Sequence, residues 1–434
     1  MTDNIRNNLI TALLLLLIVT LGGYFRFMSL NWDDFASLHP DERFLTRNLA
    51  PLVGGGLEFT NDAERFPNHS ILVNLNNMML EAGFQLRDDS SLRVGAVADE
   101  LSADVARWWV SGAPDERIRL YDSSAAAVQG IMTGDVAGII VASNEAGELL
   151  RMSRSLRTLD EIASPTIQRL RCSALYPQTD GVGGYFDSAC SSYNPYNAGA
   201  GTYAYGTFPL FLTRIVSDAL LLLESNDIAG IDFQGETLVW RFFSALFDTG
   251  TIVVIFFIGR KMHNNWVGLL AAVLYAAMPL PIQKAHFGTV NAITAFWVAL
   301  ALLWAVYVQD SGRMRYYALF GIALGLALAG RINVIPLAGV VVLAGMINAA
   351  PALSAKMSWH EREQLIWRNV VGVFLAGITT IITFRIVNPY AFVGPTFFHM
   401  IPSMRWLADA QQSSNNVSGV VDIPPNWQWV NRAS

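Results

Sequence analysis

Asn7-Asn8-Leu9-Ile10-Thr11-Ala12-Leu13-Leu14-Leu15-Leu16-Leu17-Ile18-Val19-Thr20-Leu21-Gly22-Gly23-Tyr24-Phe25 contains no Asp, Glu, Lys or Arg. As a helix this run extends about 28 Å, close to the roughly 30 Å of a bilayer core. A cleaved signal peptide is the rival reading. Against it, the apolar part is long, and Tyr24-Phe25-Arg26-Phe27 follows where a small-residue cleavage site would be needed. Residues 1–30 are therefore expected to form an uncleaved first transmembrane helix.

The rest of the chain agrees with a membrane class. Of 434 residues, 53% are hydrophobic and only 15% charged, with a net charge of −6 and a mean hydropathy of +0.35. Soluble domains carry about 25% charged residues, so a soluble enzyme is excluded. The acidic balance argues against a nucleic-acid partner, which needs a basic face. With 17 Pro, 34 Gly and 2 Cys, collagenous, disordered and disulfide-scaffold classes fall away. A polytopic α-helical membrane protein remains.

Charges return between Asn31 and Thr237 and then become sparse. Spans are expected at about 239–259, 264–284, 288–309, 316–331, 333–350 and 369–387, making seven transmembrane helices over 1–30 and 238–388. Arg6, Arg260, Lys261, His263, Arg313, Arg315, Lys356, Arg362 and Arg368 then share one side, which the positive-inside rule makes cytoplasmic, with the amino terminus. The polar region 31–237 and the tail 389–434 become external loops. Thr207 to Leu223 is apolar enough to span, but counting it would put Arg260 and Lys261 outside; it is placed as a juxtamembrane helix over about 205–223.

The large external first loop carries strand-like and helix-like patches in alternation: Leu92 to Val97, Ala103 to Val110, Arg117 to Tyr121, Ala125 to Thr133 and Val136 to Val141. They predict a small α/β insertion over about 60–185 with a parallel sheet. Asp122-Ser123-Ser124 reads as a helix start, a plain cap in preference to an anion cradle. Cys172 and Cys190 lie outside, where a disulfide is permitted; two buried free thiols are the alternative. They lack the spacing of a metal pair.

Residues suited to chemistry gather at the predicted outer face. His39-Pro40-Asp41-Glu42-Arg43-Phe44 places two adjacent carboxylates just past the first span, and paired acids divide into a base and a metal ligand or hydrogen-bond partner. A solvated turn with a capping Asp is the bland reading. Arg241 opens the second span and Arg331 interrupts the run Gly321 to Ala344. Ionisable residues in membrane segments are functional by default, and two guanidinium groups suit a phosphate; snorkelling to headgroups is the alternative. His286 and Asn291 reach the same boundary. Trp32, Trp240, Tyr390, Trp406, Trp427 and Trp429 are expected chiefly as interface belts.

In this order, four stretches resemble the type-C, lipid-carrier-dependent glycosyltransferases, the protein O-mannosyltransferase and aminoarabinose transferase relatives. They are His39 to Phe44, similar to the family's Asp-Glu motif; Tyr205-Gly206-Thr207-Phe208-Pro209-Leu210; Trp240-Arg241-Phe242-Phe243-Ser244-Ala245-Leu246; and His286-Phe287-Gly288-Thr289-Val290-Asn291-Ala292. Asn388-Pro389-Tyr390-Ala391-Phe392 is similar to bacterial members, and the family's seven-helix module matches the seven expected spans. The resemblance implies a bacterial cytoplasmic membrane location and a polyprenyl-phosphate sugar donor held among membrane lipids. It implies transfer to a hydroxyl acceptor at the outer face, with Asp41 as base. Glu42 would assist by hydrogen bonding or by holding a divalent metal. Arg241 and Arg331, with Arg43 and Arg214 nearby, would hold the lipid phosphate. Asn291 stands where relatives often carry Asp, and Leu212 where many carry Lys, with Arg214 as the nearby substitute. The sequence ends at Ser434 inside the expected last loop, so a further membrane subunit completing the chain is an expected partner. A non-catalytic subunit on the same scaffold is the competing reading. It predicts a filled cavity where the enzyme reading predicts convergence of Asp41, Glu42 and Arg241.

Overall fold

In the computed structural model the first apolar run is helical over Thr2–Phe27 (α1), and Pro40–Val53 forms a second helix, α2. Pro40 occupies its first turn, where a missing N–H costs nothing. The structure describes residues 2–34, 39–53, 66–75, 83–110, 113–170, 172, 182–191, 193–198, 200, 202–203, 205–223, 233–353 and 357–416. The chain divides into two units, Met1–Leu57 with Ser192–Ser434, and Glu58–Ser191.

The unit Glu58–Ser191 is built on β1 (His69–Asn74), β2 (Val94–Val97), α3 (Glu100–Trp109), β3 (Ile118–Tyr121), α4 (Ser124–Thr133), β4 (Gly138–Ala142), α5 (Ser143–Met152) and β5 (Leu156–Ile162). Strand order is β3-β2-β4-β1-β5. β2 runs parallel to β3 and β4, and β1 is antiparallel to β4 and β5. The sheet is thus mixed, not parallel throughout as expected. The reversing strand β1 lies upstream of the alternating patches, and its apolar run Ile71-Leu72-Val73, fully buried, shows no alternation. Both faces are covered: Ile71, Val73, Val94 and Ile140 enter one core, Leu72, Ile139 and Val141 the other. Ser123 caps α4 by accepting the Ala126 N–H at 3.2 Å. A disulfide joins Cys172 to Cys190.

In the other unit the chain continues as α6 (Phe208–Leu223), α7 (Phe233–Met262), α8 (Asn265–Ala277), α9 (Pro279–Ala285), α10 (Val290–Ser311), α11 (Met314–Leu328), α12 (Ala338–Ala349), α13 (Trp359–Val387) and α14 (Met404–Asn416). Among the described residues, five stretches are long and apolar enough to cross a membrane: Arg6–Phe27, Gln234–Met262, Val290–Ser311, Ile332–Leu353 and Trp359–Val387. The chain is a multi-pass membrane protein. The span expected at 264–284 is broken, α8 and α9 meeting at 59°, because Met278 is extended and Pro279 follows. Counted as one span, that pair makes six. The segment expected to span at 316–331, α11, has 15 residues, about 22 Å, short of a bilayer core.

Close packing and buried ion pairs hold the bundle. A Cβ on Gly321 would meet Thr379 Oγ1 at 2.0 Å, and one on Gly325 would meet Thr383 Cβ at 2.7 Å, so these glycines let α11 approach α13. Arg26 pairs with Asp248, and Asp248 also accepts from the Tyr275 hydroxyl at 2.6 Å. Arg26 further donates to the carbonyls of Gly22 at 2.9 Å and Ala276 at 3.1 Å. This fastens α1, α7 and α8 where an unpaired charge would be costly.

The bundle has two chemically different ends. At one, Lys261 pairs with Asp310 at 2.6 Å, and Arg368 and Asn369 donate to Asn348. At the other, the starts of α2, α6 and α7 meet the ends of α1, α9, α11 and α13. There Arg241 reaches Leu30 O, His286 Nε2 lies 2.9 Å from Met28 O, and Thr207 donates to Val387 O. Trp240, Tyr390 and Trp406 are buried here and fill a core rather than an interface belt; Trp32 is exposed, and Trp427 and Trp429 lie outside the described residues.

Candidate active site

Adjacent residues on a helix point about 100° apart, and α2 uses this to separate its two carboxylates. Glu42 turns inward and is fully buried. Asp41 turns the other way and keeps a third of its side chain exposed, at 34%.

Arg241, expected to face a lipid phosphate, instead meets two carboxylates. Its Nε donates to Glu42 Oε1 at 2.7 Å and its Nη2 to Glu42 Oε2 at 2.8 Å. Nη1 and Nη2 donate to the two oxygens of Asp33 at 2.8 and 2.9 Å, and Nη1 also reaches Leu30 O at 2.8 Å. A guanidinium has five N–H donors, and all five are engaged. The forked geometry suits carboxylates, and full burial of all three side chains strengthens each bond. Glu42 Oε1 also accepts the Gly288 N–H at 2.7 Å. With both oxygens against a guanidinium, Glu42 does not fit a metal ligand. Among the described residues no group of three His, Cys, Asp or Glu side chains comes together to hold a metal.

Gly288 is required by this approach. A Cβ there would stand 2.6 Å from Trp240 Cβ and 3.0 Å from Glu42 Oε1. Gly288→Ala is expected to push Glu42 off its hydrogen bond and to cost about 1–3 kcal/mol by overpacking. Thermal unfolding of the purified variant beside the native chain measures it.

Arg331 comes from the break between α11 and α12, with extended backbone. Its Nη2 lies 3.8 Å from Asp41 Oδ2, and its side chain is 23% exposed. Its guanidinium stacks 5.2 Å over the Tyr205 ring. Among the described residues its Nε is buried without a hydrogen-bond partner. Tyr205 is held by the Trp406 indole donating to its carbonyl at 3.2 Å. Burial first, then the Asp41 charge, pushes the Tyr205 hydroxyl up to about 12, so it stays protonated at neutral pH. Asp41 and Arg331 therefore form a partly open acid–guanidinium pair walled by an aromatic ring.

His39 caps this corner. Its Nδ1 accepts the Asp41 N–H at 3.2 Å, and its ring packs 4.6 Å from Phe287. Burial, opposed by the Asp41 charge, lowers its pKa below the ordinary 6.5. A base whose folded pKa is depressed contributes stability that is fully present above about 6.5 and lost as pH falls through the lowered value. Melting temperatures of the native chain and His39→Gln are expected to run parallel above that pH, with the native chain falling faster below it.

The remaining expected residues do not join the pair. Arg43 is exposed on α2. Arg214 pairs with Asp218 at 3.3 Å and lies 4.1 Å over Tyr193. His286 places its ring nitrogens 2.8 Å from Ile282 O and 2.9 Å from Met28 O, bracing α9 against the end of α1. Asn291 is half-buried in the first turn of α10. Sequence reasoning missed Asp33, Gly288 and Tyr205. Asp33 had a signal: an arginine opening a membrane helix requires a carboxylate at the same end, and Asn31-Trp32-Asp33-Asp34 directly follows the first span.

Residues 233–383 match the dolichyl-phosphate-mannose-protein mannosyltransferase family. The matched stretch begins with α7, which carries Arg241, and includes Gly288 and Arg331. No curated protein matches the chain.

Proposed function

We propose that this protein transfers a sugar from a polyprenyl-phosphate donor to a hydroxyl acceptor, with the chemistry at Asp41 and Arg331. The observation that carries the reading is their pairing: a partly exposed carboxylate beside a guanidinium whose Nε has no partner among the described residues. Asp41 takes the proton of the acceptor hydroxyl. The oxygen attacks the anomeric carbon, the bond from that carbon to the phosphate oxygen breaks, and polyprenyl phosphate leaves with the bonding pair. Arg331 binds that phosphate and stabilises the charge that develops on it. Arg241 is a positioning residue: it fixes Glu42 and Asp33, and so the first turn of α2. The reading takes the bent pair α8–α9 as one span and α11, although short, as a further membrane element. The basic end, with Lys261, Arg313 and Arg368, is the cytoplasmic one, which places Asp41 outside.

The test is kinetic. Arg331→Gln is expected to lower kcat/KM for the lipid-linked donor by about 10²-fold, the scale seen when one charge-stabilising donor is removed. An unchanged kcat/KM would remove Arg331 from the site.

A further inference from the structure

An apolar groove of about 290 Å³ runs between α12 and α13 at the basic end, lined by Val342, Gly345, Met346, Ile366, Val370 and Phe374. The polar side chain on its wall, Asn369, is already satisfied. It donates to Leu365 O at 2.8 Å and Asn348 Oδ1 at 3.2 Å, and accepts from the Tyr317 hydroxyl at 2.6 Å. The groove therefore suits a hydrocarbon chain and offers nothing to a polar head.

Its mouth has the opposite chemistry. On α13, Phe374, Val370, Ile366 and Arg362 recur every fourth residue, so they share one face, and Arg362 ends the apolar stripe. Arg362 donates to Met357 O at 3.1 Å. The exposed Arg368 reaches Asn348 Oδ1 at 3.1 Å on the facing helix. Trp359 and Trp367, 79% and 58% exposed, mark this level as a membrane–water interface. Arg385, at the far end of the same helix, is about 26 Å from Arg368, so this groove is separate from the Asp41 site.

We propose that this groove seats an acyl chain of a negatively charged phospholipid, whose phosphate lies at Arg362 and Arg368. Juxtamembrane basic residues attract anionic lipids, each contributing several-fold in affinity, and the apolar stripe continues from the charge into the groove. The seated chain fills space beside the short α12.

The purified chain, stripped of lipid, is mixed with equal amounts of dioleoylphosphatidylglycerol and dioleoylphosphatidylcholine and examined by native mass spectrometry. Phosphatidylglycerol is expected to be retained on the order of tenfold more than phosphatidylcholine. R362Q/R368Q should equalise the two. Val370→Trp, which fills the groove, should lose both lipids while its unfolding without lipid stays as in the native chain. Equal retention of the two lipids by the native chain would overturn the proposal. So would a preference that survives R362Q/R368Q, or lipid retained unchanged in Val370→Trp.

Discussion

Replacing Arg241 with Gln is expected to unfold the site end of the bundle, with a loss of about 3–5 kcal/mol, the cost of stranding a buried charge partner. Two carboxylates, Asp33 and Glu42, share this one guanidinium, and all three side chains are fully buried. Removing the cation leaves two like charges close together in a low dielectric. Arg241→Lys keeps the charge but not the two forks, and is expected to recover only part of the loss. Thermal unfolding in detergent reads this directly. Adding Asp33→Asn and Glu42→Gln to Arg241→Gln should restore stability relative to Arg241→Gln alone, because the triple change removes the charges the single one strands.

Asp41→Asn is expected to behave in the opposite way: turnover falls by about 10²–10⁴-fold while the melting temperature stays close to native. Asp41 is partly exposed, and its ion pair with Arg331 is a loose 3.8 Å, so little folding energy rests on it. The contrast between neighbouring residues is the useful part. A defect at Glu42 should appear first as lost stability, and a defect at Asp41 first as lost turnover, measured as sugar transferred from a polyprenyl-phosphate donor. Retention of full turnover by Asp41→Asn would exclude it as the base.

Much of this was legible in the residues, for identifiable reasons. Long apolar runs with few or no charges read as membrane helices, so α1, α7, α10 and α13 stand out. Basic residues between spans reveal which ends lie together. The break at Met278 and the shortness of α11 were hidden, because a hydropathy run does not register a bend: Pro279 and Pro281 sit inside an apolar stretch and interrupt it without adding charge. In the α/β unit, α4 and β2 to β4 follow from alternation and a Ser cap. β1 does not, since a strand buried on both faces has no period to detect.

At the site, Asp41, Glu42, Arg241 and Arg331 gather at one end as the sequence suggests, but Arg241 pairs with Asp33 and Glu42 while Arg331 lies beside Asp41. Asp41 and Glu42 look alike as a dipeptide, and only the helical turn of α2 separates a buried carboxylate from a partly exposed one. Arg241 and Arg331 also look alike, each an arginine interrupting an apolar run. The difference lies in Asp33 and Gly288, which reach Arg241 and Glu42 from distant parts of the chain. Trp240 and Trp406 were assigned to the interface because burial at the membrane rim depends on what else packs there, here the segment around Tyr203 and Tyr205.

The most direct test of the central claim is electron cryo-microscopy of the protein with a non-transferable polyprenyl-phosphonate sugar bound. The account predicts the phosphonate within about 3 Å of the Arg331 guanidinium, the anomeric carbon open toward Asp41, and Arg241 still clasped by Asp33 and Glu42. A phosphonate bound at Arg241, or seated at the basic end with the Asp41–Arg331 pair untouched, would contradict it.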